Sequence, residues 1–398
     1  MARLAVLVPE HWLPLADALR AAGHAVRLLP DWQPLVRHRE ALDVALAEVR
    51  DALTAAGTDP LLLSLVDALP VLATRAQAVR ETVLGHPDPP ADGAPEALVV
   101  TCTTDATGRA AVQAGRERGI PVLHVTHACQ SLDPRLAAWA RTAPGPGEWV
   151  LVPGERDAAW WAQANPGLVA QGRVRVTGHA LWDGYAALTR DTSPREKPVV
   201  LWACESGASP WQSAETWHSR AVPALAYRAF LDALHTLGAR GTVCTVILKA
   251  RAGEEPAVLQ QWMREAFDVL RGSGHDLVVS IEPPAAVLPR CDVVVCQQSN
   301  IGVEALLLGV PVLNLARAGS TLLDEHVPTF HLASDTPGVA REWLVEALDL
   351  ALSGRSARDW QAIGRHYHAG TGDGRSLARV VDTIGSLVRA GMREHAYA

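Results

Sequence analysis

The run Cys291-Asp-Val-Val-Val-Cys-Gln-Gln-Ser-Asn-Ile-Gly-Val-Glu-Ala-Leu-Leu-Leu-Gly-Val-Pro-Val-Leu-Asn-Leu315 holds a strand, a polar turn, a helix and a second strand in close succession. The apolar residues up to Cys296 predict a buried strand, and Gln297–Asn300 a turn. Ser299 or Asn300 suits the N-cap of the helix that follows. Such a helix turns unpaired backbone N–H groups and the positive end of its dipole toward whatever lies above the strand, which suits a phosphate. Gln298 joins these turn residues. Gly302, in the first turn, leaves room for a ligand to approach the backbone. Glu304, one turn in, points to the same spot, where a carboxylate suits a ribose diol. Gly309-Val-Pro311 ends the helix and opens the next strand. A plainer reading fits the same residues: Ser299 or Asn300 only caps, and Glu304 is a surface acid complementing the dipole.

Outward from this run, short apolar strands alternate with helical periods. Toward the N-terminus of the same half come Val199–Ala203, a helix from about 219 to 237, Val243–Leu248, a helix from about 256 to 271, and Leu277–Ile281. Before them lies the polar stretch Thr189-Arg-Asp-Thr-Ser-Pro-Arg-Glu-Lys-Pro198, read as a linker. The first half opens β-α-β with Leu4–Val8, His11–Ala22 and Ala25–Leu29, then resumes with Ala97–Thr101, Ala106–Arg118, Pro121–Thr126, Trp149–Val152, Glu155–Ala164 and Val174–Thr177. Between them, residues from about 35 to 84 are rich in Ala and Leu at helical spacing. Continuous apolar strands of this length belong to parallel sheets covered by helices on both faces. The expected fold is therefore α/β, two doubly wound Rossmann-like domains with an interdomain cleft. The expected boundaries are 1–186, a linker 187–197, 198–370, and a closing segment 371–398 whose amphipathic helix (375–390) crosses back to the N-terminal domain. Ligands in such sheets bind beyond the carboxyl ends of the strands.

With 398 residues, the chain fits two domains of roughly 150–200 residues each. Hydrophobic residues are 48% and charged residues 20%, which excludes a disordered chain. A net charge of −7 opposes nucleic-acid binding. The six cysteines are scattered without a C-x-x-C pair, so neither a disulfide framework nor a metal site is expected and a reducing cytoplasm is the natural setting. No window reaches the roughly 18 apolar residues of a membrane span. No G-x-x-x-x-G-K-[ST], G-x-G-x-x-G or H-E-x-x-H occurs, which removes P-loop ATPases, dinucleotide redox enzymes and zincins. The thirteen tryptophans, among them Trp160, Trp161, Trp211 and Trp217, fit sugar stacking, peripheral membrane contact or ordinary packing equally well.

The strand, Ser-containing turn and E-A-x-x-x-G-x-P order of residues 291–315 resembles the second-domain motif of two-Rossmann-domain (GT-B) glycosyltransferases. The resemblance implies that turn amides and serine hold a donor's phosphates and the glutamate its ribose, on Gln298, Ser299, Asn300, Gly302 and Glu304. Thr245-Val-Ile-Leu-Lys249-Ala-Arg251-Ala-Gly-Glu254 is similar to the K-x-H-P-x-E strand end of the capsule-polysaccharide and CDP-glycerol glycerophosphotransferase-like groups, with Arg251 for the histidine and Ala252 for the proline. Lys249, one of two lysines in the chain, would with Arg251 stabilise a departing diphosphate from a neighbouring strand end; a solvated surface lysine is the competing reading. Pro121-Val-Leu-His-Val-Thr-His127-Ala128 resembles the H-G strand end on the acceptor side, with Ala128 for the glycine, making His127 a candidate acid/base, a donor to phosphate or a structural histidine. Val152-Pro-Gly154-Glu155 and Val176-Thr-Gly178-His-Ala-Leu-Trp-Asp183 resemble the paired G-E and T-G-x-P-x-x-D stretches, with Asp183 a cap or linker anchor. Ser206 and Gly207, in the turn after Val199–Ala203, would add amides to the same anion or form a plain loop. Arg375 would face the cleft or the solvent.

These resemblances imply a glycosyltransferase using a nucleotide-activated sugar or polyol phosphate as substrate and no cofactor. No two aspartates stand two apart, so the D-x-D metal site of the other large glycosyltransferase fold is missing and a metal-independent reaction is expected. Two alternatives remain open. One is an isomerase like the non-hydrolysing UDP-N-acetylglucosamine 2-epimerases, with Asp105 as a catalytic carboxylate. Against it, His124-Val-Thr126-His127-Ala128 stands where that group has H-V-E-A-G. The other is a silent nucleotide-sugar-binding protein.

Overall fold

The computed structural model describes residues 1–8, 12–29, 95–101, 106–126, 148–203, 221–250, 256–297, 299–317, 323, 326–332, 337–369 and 373–396. The chain divides into two compact units, Met1–Asp183 with Arg375–Ala398, and Gly184–Gly374.

In the first unit, β1 (Arg3–Leu7), β2 (Ala25–Leu28), β3 (Ala97–Val100), β4 (Val122–Val125), β5 (Glu148–Val152) and β6 (Val174–Val176) form a sheet in the order β2-β1-β3-β4-β5-β6. All of its pairings are parallel. Every residue of β3 and β4 is buried, because helices cover both faces, and this is why these strands read as unbroken apolar runs. One face carries α1 (Leu13–Ala21) and α11 (Ser376–Ala396), which bring Leu15, Leu19, Val380 and Ile384 together. The other carries α2 (Ala106–Arg118), whose Ala111 and Ala114 lie on Leu98 and Val122. Beyond β5 follow α3 (Glu155–Ala164) and α4 (Pro166–Ala170), the latter capped by Asn165 Oδ1 accepting from the Leu168 N–H.

In the second unit, β7 (Val199–Ala203), β8 (Thr245–Lys249), β9 (Asp276–Ser280), β10 (Val293–Cys296), β11 (Val312–Arg317) and β12 (Thr329–Leu332) run parallel in the order β12-β11-β10-β7-β8-β9. The chain winds outward from β7 to β9, then returns to β10 on the other side of β7. That reversal places a crevice above the carboxyl ends of β7 and β10. One face packs on α5 (Ala221–Ala239) and α9 (Pro337–Leu352) through Trp202, Phe230, Leu234, Leu344 and Leu348. Trp202 stacks on Phe230 with centroids 4.7 Å apart, and each such buried side chain contributes about 1.5–3 kcal/mol. After β8 and β9 come α6 (Pro256–Leu270) and α7 (Pro284–Val287). The opposite face carries α8 (Asn300–Leu307), on which lies α10 (Trp360–Tyr367). A Cβ on Gly364 would stand 2.5 Å from the Leu306 carbonyl oxygen. The two helices therefore meet backbone to backbone.

The structure departs from the sequence reading in two places. The stretch read as a linker is tied to the second unit: Asp292 receives Arg195 at 3.2 Å and Arg190 at 3.6 Å, and the Asp191 N–H donates to Pro289 O at 2.8 Å. Its polar composition reflects these bonds. In addition, β12, α9 and α10 had no counterpart in the periodicity. β12 is a short edge strand, and only its last residue, Leu332, is buried.

Candidate functional site

The site is built from the strand ends of the second unit. Register pairs Cys296 with Ala203, Ala203 with Lys249, and Lys249 with Ser280. The ends of β10, β7, β8 and β9 therefore lie side by side, and at about 4.8 Å per strand those of β10 and β8 are about 10 Å apart. β8 is thus the second neighbour of β10, with β7 between them, where the sequence reading had put Lys249 on an adjoining end.

α8 rises from the end of β10. Ser299, in extended backbone (φ −107°, ψ 143°), is its N-cap, and its Oγ accepts from the Ile301 N–H at 3.4 Å. Ile301, Gly302, Val303 and Ala305 are buried against the sheet, whereas Asn300 and Glu304 are half-buried. Four residues apart, those two share the helix face that is not buried.

Gly302 does something other than expected. A Cβ there would meet Cys296 Sγ at 2.8 Å, Leu323 Cδ1 at 3.2 Å and Val312 Cγ1 at 3.4 Å. The missing side chain lets α8 settle on β10 and β11 and faces the protein interior, so the room assigned to a ligand is filled by the sheet. The Cys296 thiol on that face is pushed up to about 12 by burial and is no nucleophile.

Lys249 closes β8 with its side chain buried and its Nζ donating to Ala250 O. It is not a solvated surface lysine. Burial holds its pKa below the usual lysine value, while the charges of Glu304 and Glu282 oppose that shift. A buried cation within the field of Glu304 is poised for an anion, since an anion's charge would offset the cost of burial.

Tyr185 was missed. It lies in a 3₁₀ helix, Asp183–Ala187, is buried, and donates its phenol O–H to Glu304 Oε2. The partners are 119 residues apart, and no local pattern links them.

In the first unit, residues around the sequence motifs have structural duties. The carboxylate of Asp183 accepts from the Ser376 N–H at 2.6 Å and the Leu377 N–H at 2.8 Å, capping α11 across the chain. Gly178, at φ +86°, passes beneath Ser376, and a Cβ would lie 2.6 Å from the Ser376 Cβ. The Arg379 Nε donates to Thr177 O at 2.9 Å. His179 stacks on Trp182 at 4.0 Å and meets Trp12 edge-on. His124, buried, faces Glu148 at 2.9 Å, and Glu148 also pairs with Arg116. Asp105, His127, Ser206, Gly207, Arg251 and Gln298 lie outside the described residues, as do Trp211, Trp217 and the segment 35–84.

Among the described residues no helix is long and apolar enough to cross a membrane, and no three His, Cys, Asp or Glu side chains group as a metal site. No protein-family model and no curated protein matches the sequence. Solved structures do match in fold. A UDP-GlcNAc 2-epimerase from Neisseria meningitidis, bound to UDP-GlcNAc, shares 14% identity at TM-score 0.57, over 97% of this chain and 100% of its own. The UDP-GlcNAc 2-epimerase from Methanocaldococcus jannaschii gives 13% and 0.53, over 97% and 100%. A glycosyltransferase from Rickettsia africae gives 10% and 0.53, over 98% of each chain. With two parallel six-stranded sheets, each doubly wound, and solved GT-B structures matching it along nearly its whole length, this chain has the GT-B fold.

Proposed function

We propose that the protein is a nucleotide-sugar-dependent glycosyltransferase, or a close relative moving a polyol phosphate, in surface polysaccharide or glycoconjugate synthesis in the cytoplasm. One observation carries this reading. The N-terminus of α8, buried Lys249 and half-buried Glu304 belong to strand ends beside the reversal of strand order, and Lys249 and Glu304 feel each other's charge. A cation and helix amides suit a diphosphate leaving group, and a nearby carboxylate suits a ribose diol. In this reading Ser299, Asn300 and Lys249, with Gln298, Arg251, Ser206 and Gly207, hold the diphosphate of a nucleotide-activated donor. Glu304 holds its ribose, and His127 serves the acceptor as acid/base. The absence of D-x-D in the sequence favours a metal-independent reaction.

Purified protein incubated with UDP-, GDP-, CDP- and dTDP-sugars tests this. Slow release of free nucleoside diphosphate is expected, with His127→Asn lowering turnover by about 10²-fold and leaving donor affinity in place. Binding without any turnover would overturn the transferase reading. Isomerised donor would replace it with an epimerase, the activity named for two of the fold matches. His124-Val-Thr126-His127-Ala128, lacking a glutamate, counts against that outcome, as Asp105 alone would remain for proton transfer.

A further inference from the structure

Within the second unit, one contact at the candidate site has no place in the binding scheme above. Tyr185 reaches Glu304 from outside the sheet, its ring buried and its hydroxyl bonded to the carboxylate. We propose that Tyr185 is a positioning residue, holding the Glu304 carboxylate at the angle that lets it receive a ribose diol. The proposal rests on the reading of Glu304 as the ribose group.

Three observations support it. First, a glutamate on a helix has three side-chain torsions, and a carboxylate that must accept two hydroxyls loses affinity when it samples several of them. A phenol fixed by burial supplies one donor and removes that freedom. Second, a carboxylate has about four lone-pair positions and the phenol takes one of them, so holding Glu304 through Oε2 does not by itself use up its capacity to accept. Third, Lys249 acts electrostatically on the same carboxylate. The ammonium and the phenol therefore both act on Glu304, and the bond to Tyr185 fixes the carboxylate's position in the lysine's field. Burial, then the Glu304 charge, then the hydrogen bond itself raise the phenol's pKa far above its ordinary 10.0. Tyr185 thus remains a donor throughout the physiological range.

The experiment compares wild type and Tyr185→Phe by calorimetric titration. The probes are uridine, guanosine, cytidine and adenosine diphosphates, each against its 2′,3′-dideoxy counterpart, with pyrophosphate as the reference. In wild type the preferred ribonucleotide should bind about 10- to 100-fold more tightly than its dideoxy form. In Tyr185→Phe that ratio should fall to about 3-fold or less while pyrophosphate affinity stays within about 3-fold of wild type. A merely structural tyrosine would weaken all probes together and leave the ratio intact, which overturns the proposal. A wild type that binds none of the diphosphates overturns the donor-site reading, and this proposal with it. A wild type that binds them without discriminating overturns the assignment of Glu304 alone. A second measurement needs no variant at position 185. The chain has four tyrosines, so 3-fluorotyrosine labelling gives few enough ¹⁹F resonances to assign by replacing the other three. The Tyr185 resonance should move with the ribonucleotide and stay still with pyrophosphate; an unmoved resonance with both refutes the proposal.

Discussion

The N-termini of α8 and α11 are two solutions to one problem. Both have backbone N–H groups without intrahelical partners at the positive end of a dipole. α11 receives a full carboxylate, Asp183, which accepts two of those N–H groups at 2.6 and 2.8 Å. α8 receives a neutral hydroxyl from its own preceding residue, Ser299, at 3.4 Å, and carries no acid in its first turn. The first end has its negative charge supplied by the protein. The second has a weak local cap and a buried lysine in the same region of the sheet. Where an anion is built in, a helix start serves the fold; where the cap is a neutral hydroxyl, the cap adds no charge against the dipole.

Substitutions at four positions would break or sharpen this contrast, taken from the largest expected effect down. Gly178→Ala forces a side chain into φ +86° and onto Ser376. A loss of about 3 kcal/mol is expected in denaturant unfolding, through strain and a displaced α11. A loss below 1 kcal/mol would mean that the start of α11 is easily moved. Lys249→Ala should weaken nucleoside diphosphate binding by roughly 10- to 100-fold, read by calorimetry; normal affinity would leave α8 with no more claim to an anion than α11. The same lysine gives a pH signature. Its pKa is lowered by burial, so the charge that attracts a phosphate is lost as pH rises, earlier than for an exposed lysine. Diphosphate affinity should therefore decline on the alkaline side in wild type and stay level in Lys249→Arg. The stability sign is opposite: fewer protons are held folded than unfolded, so this residue's contribution to stability improves as pH rises toward 10.5. Asp183→Ala should cost about 1–2 kcal/mol by removal of the α11 cap. Ser299→Ala should cost about 0.5 kcal/mol, the low end for caps, because its bond is long. Equal losses for the last two would erase the distinction between the ends.

The two helix starts also measure how far the sequence could be read. Ser299 is visible because a cap made by the preceding residue is a local pattern, and Lys249 stands out at the end of an apolar run. The alternation of strand and helix was equally local, and the two doubly wound sheets follow from it. What escaped depends on distance along the chain. Asp183 reads as a cap or linker anchor, but Ser376, which it caps, stands 193 residues away, and Tyr185 and Glu304 are 119 apart; no spacing rule joins either pair. Gly302 was seen and misread, because a glycine in a first turn looks the same whether a ligand or a sheet presses on it. Only the nearness of Cys296 and Val312 decides between the two. Arg190 and Arg195 lie in a stretch read only as a polar linker, and nothing local shows that both reach Asp292.

The bond between Asp183 and the start of α11 has a consequence for biosynthesis. The first unit is interrupted in sequence by all of residues 184–374, so the ribosome delivers its final helix only after the entire second unit. At about 5–20 residues per second that delay is roughly 10–40 s. Throughout it, Leu15, Leu19 and the sheet face beneath them wait for Val380, Ile384 and Val388, whereas the second unit is complete as soon as Gly374 has been added. The nascent chain therefore emerges with its later-made half able to fold first and its earlier-made half still displaying an apolar face, a natural target for a cotranslational chaperone.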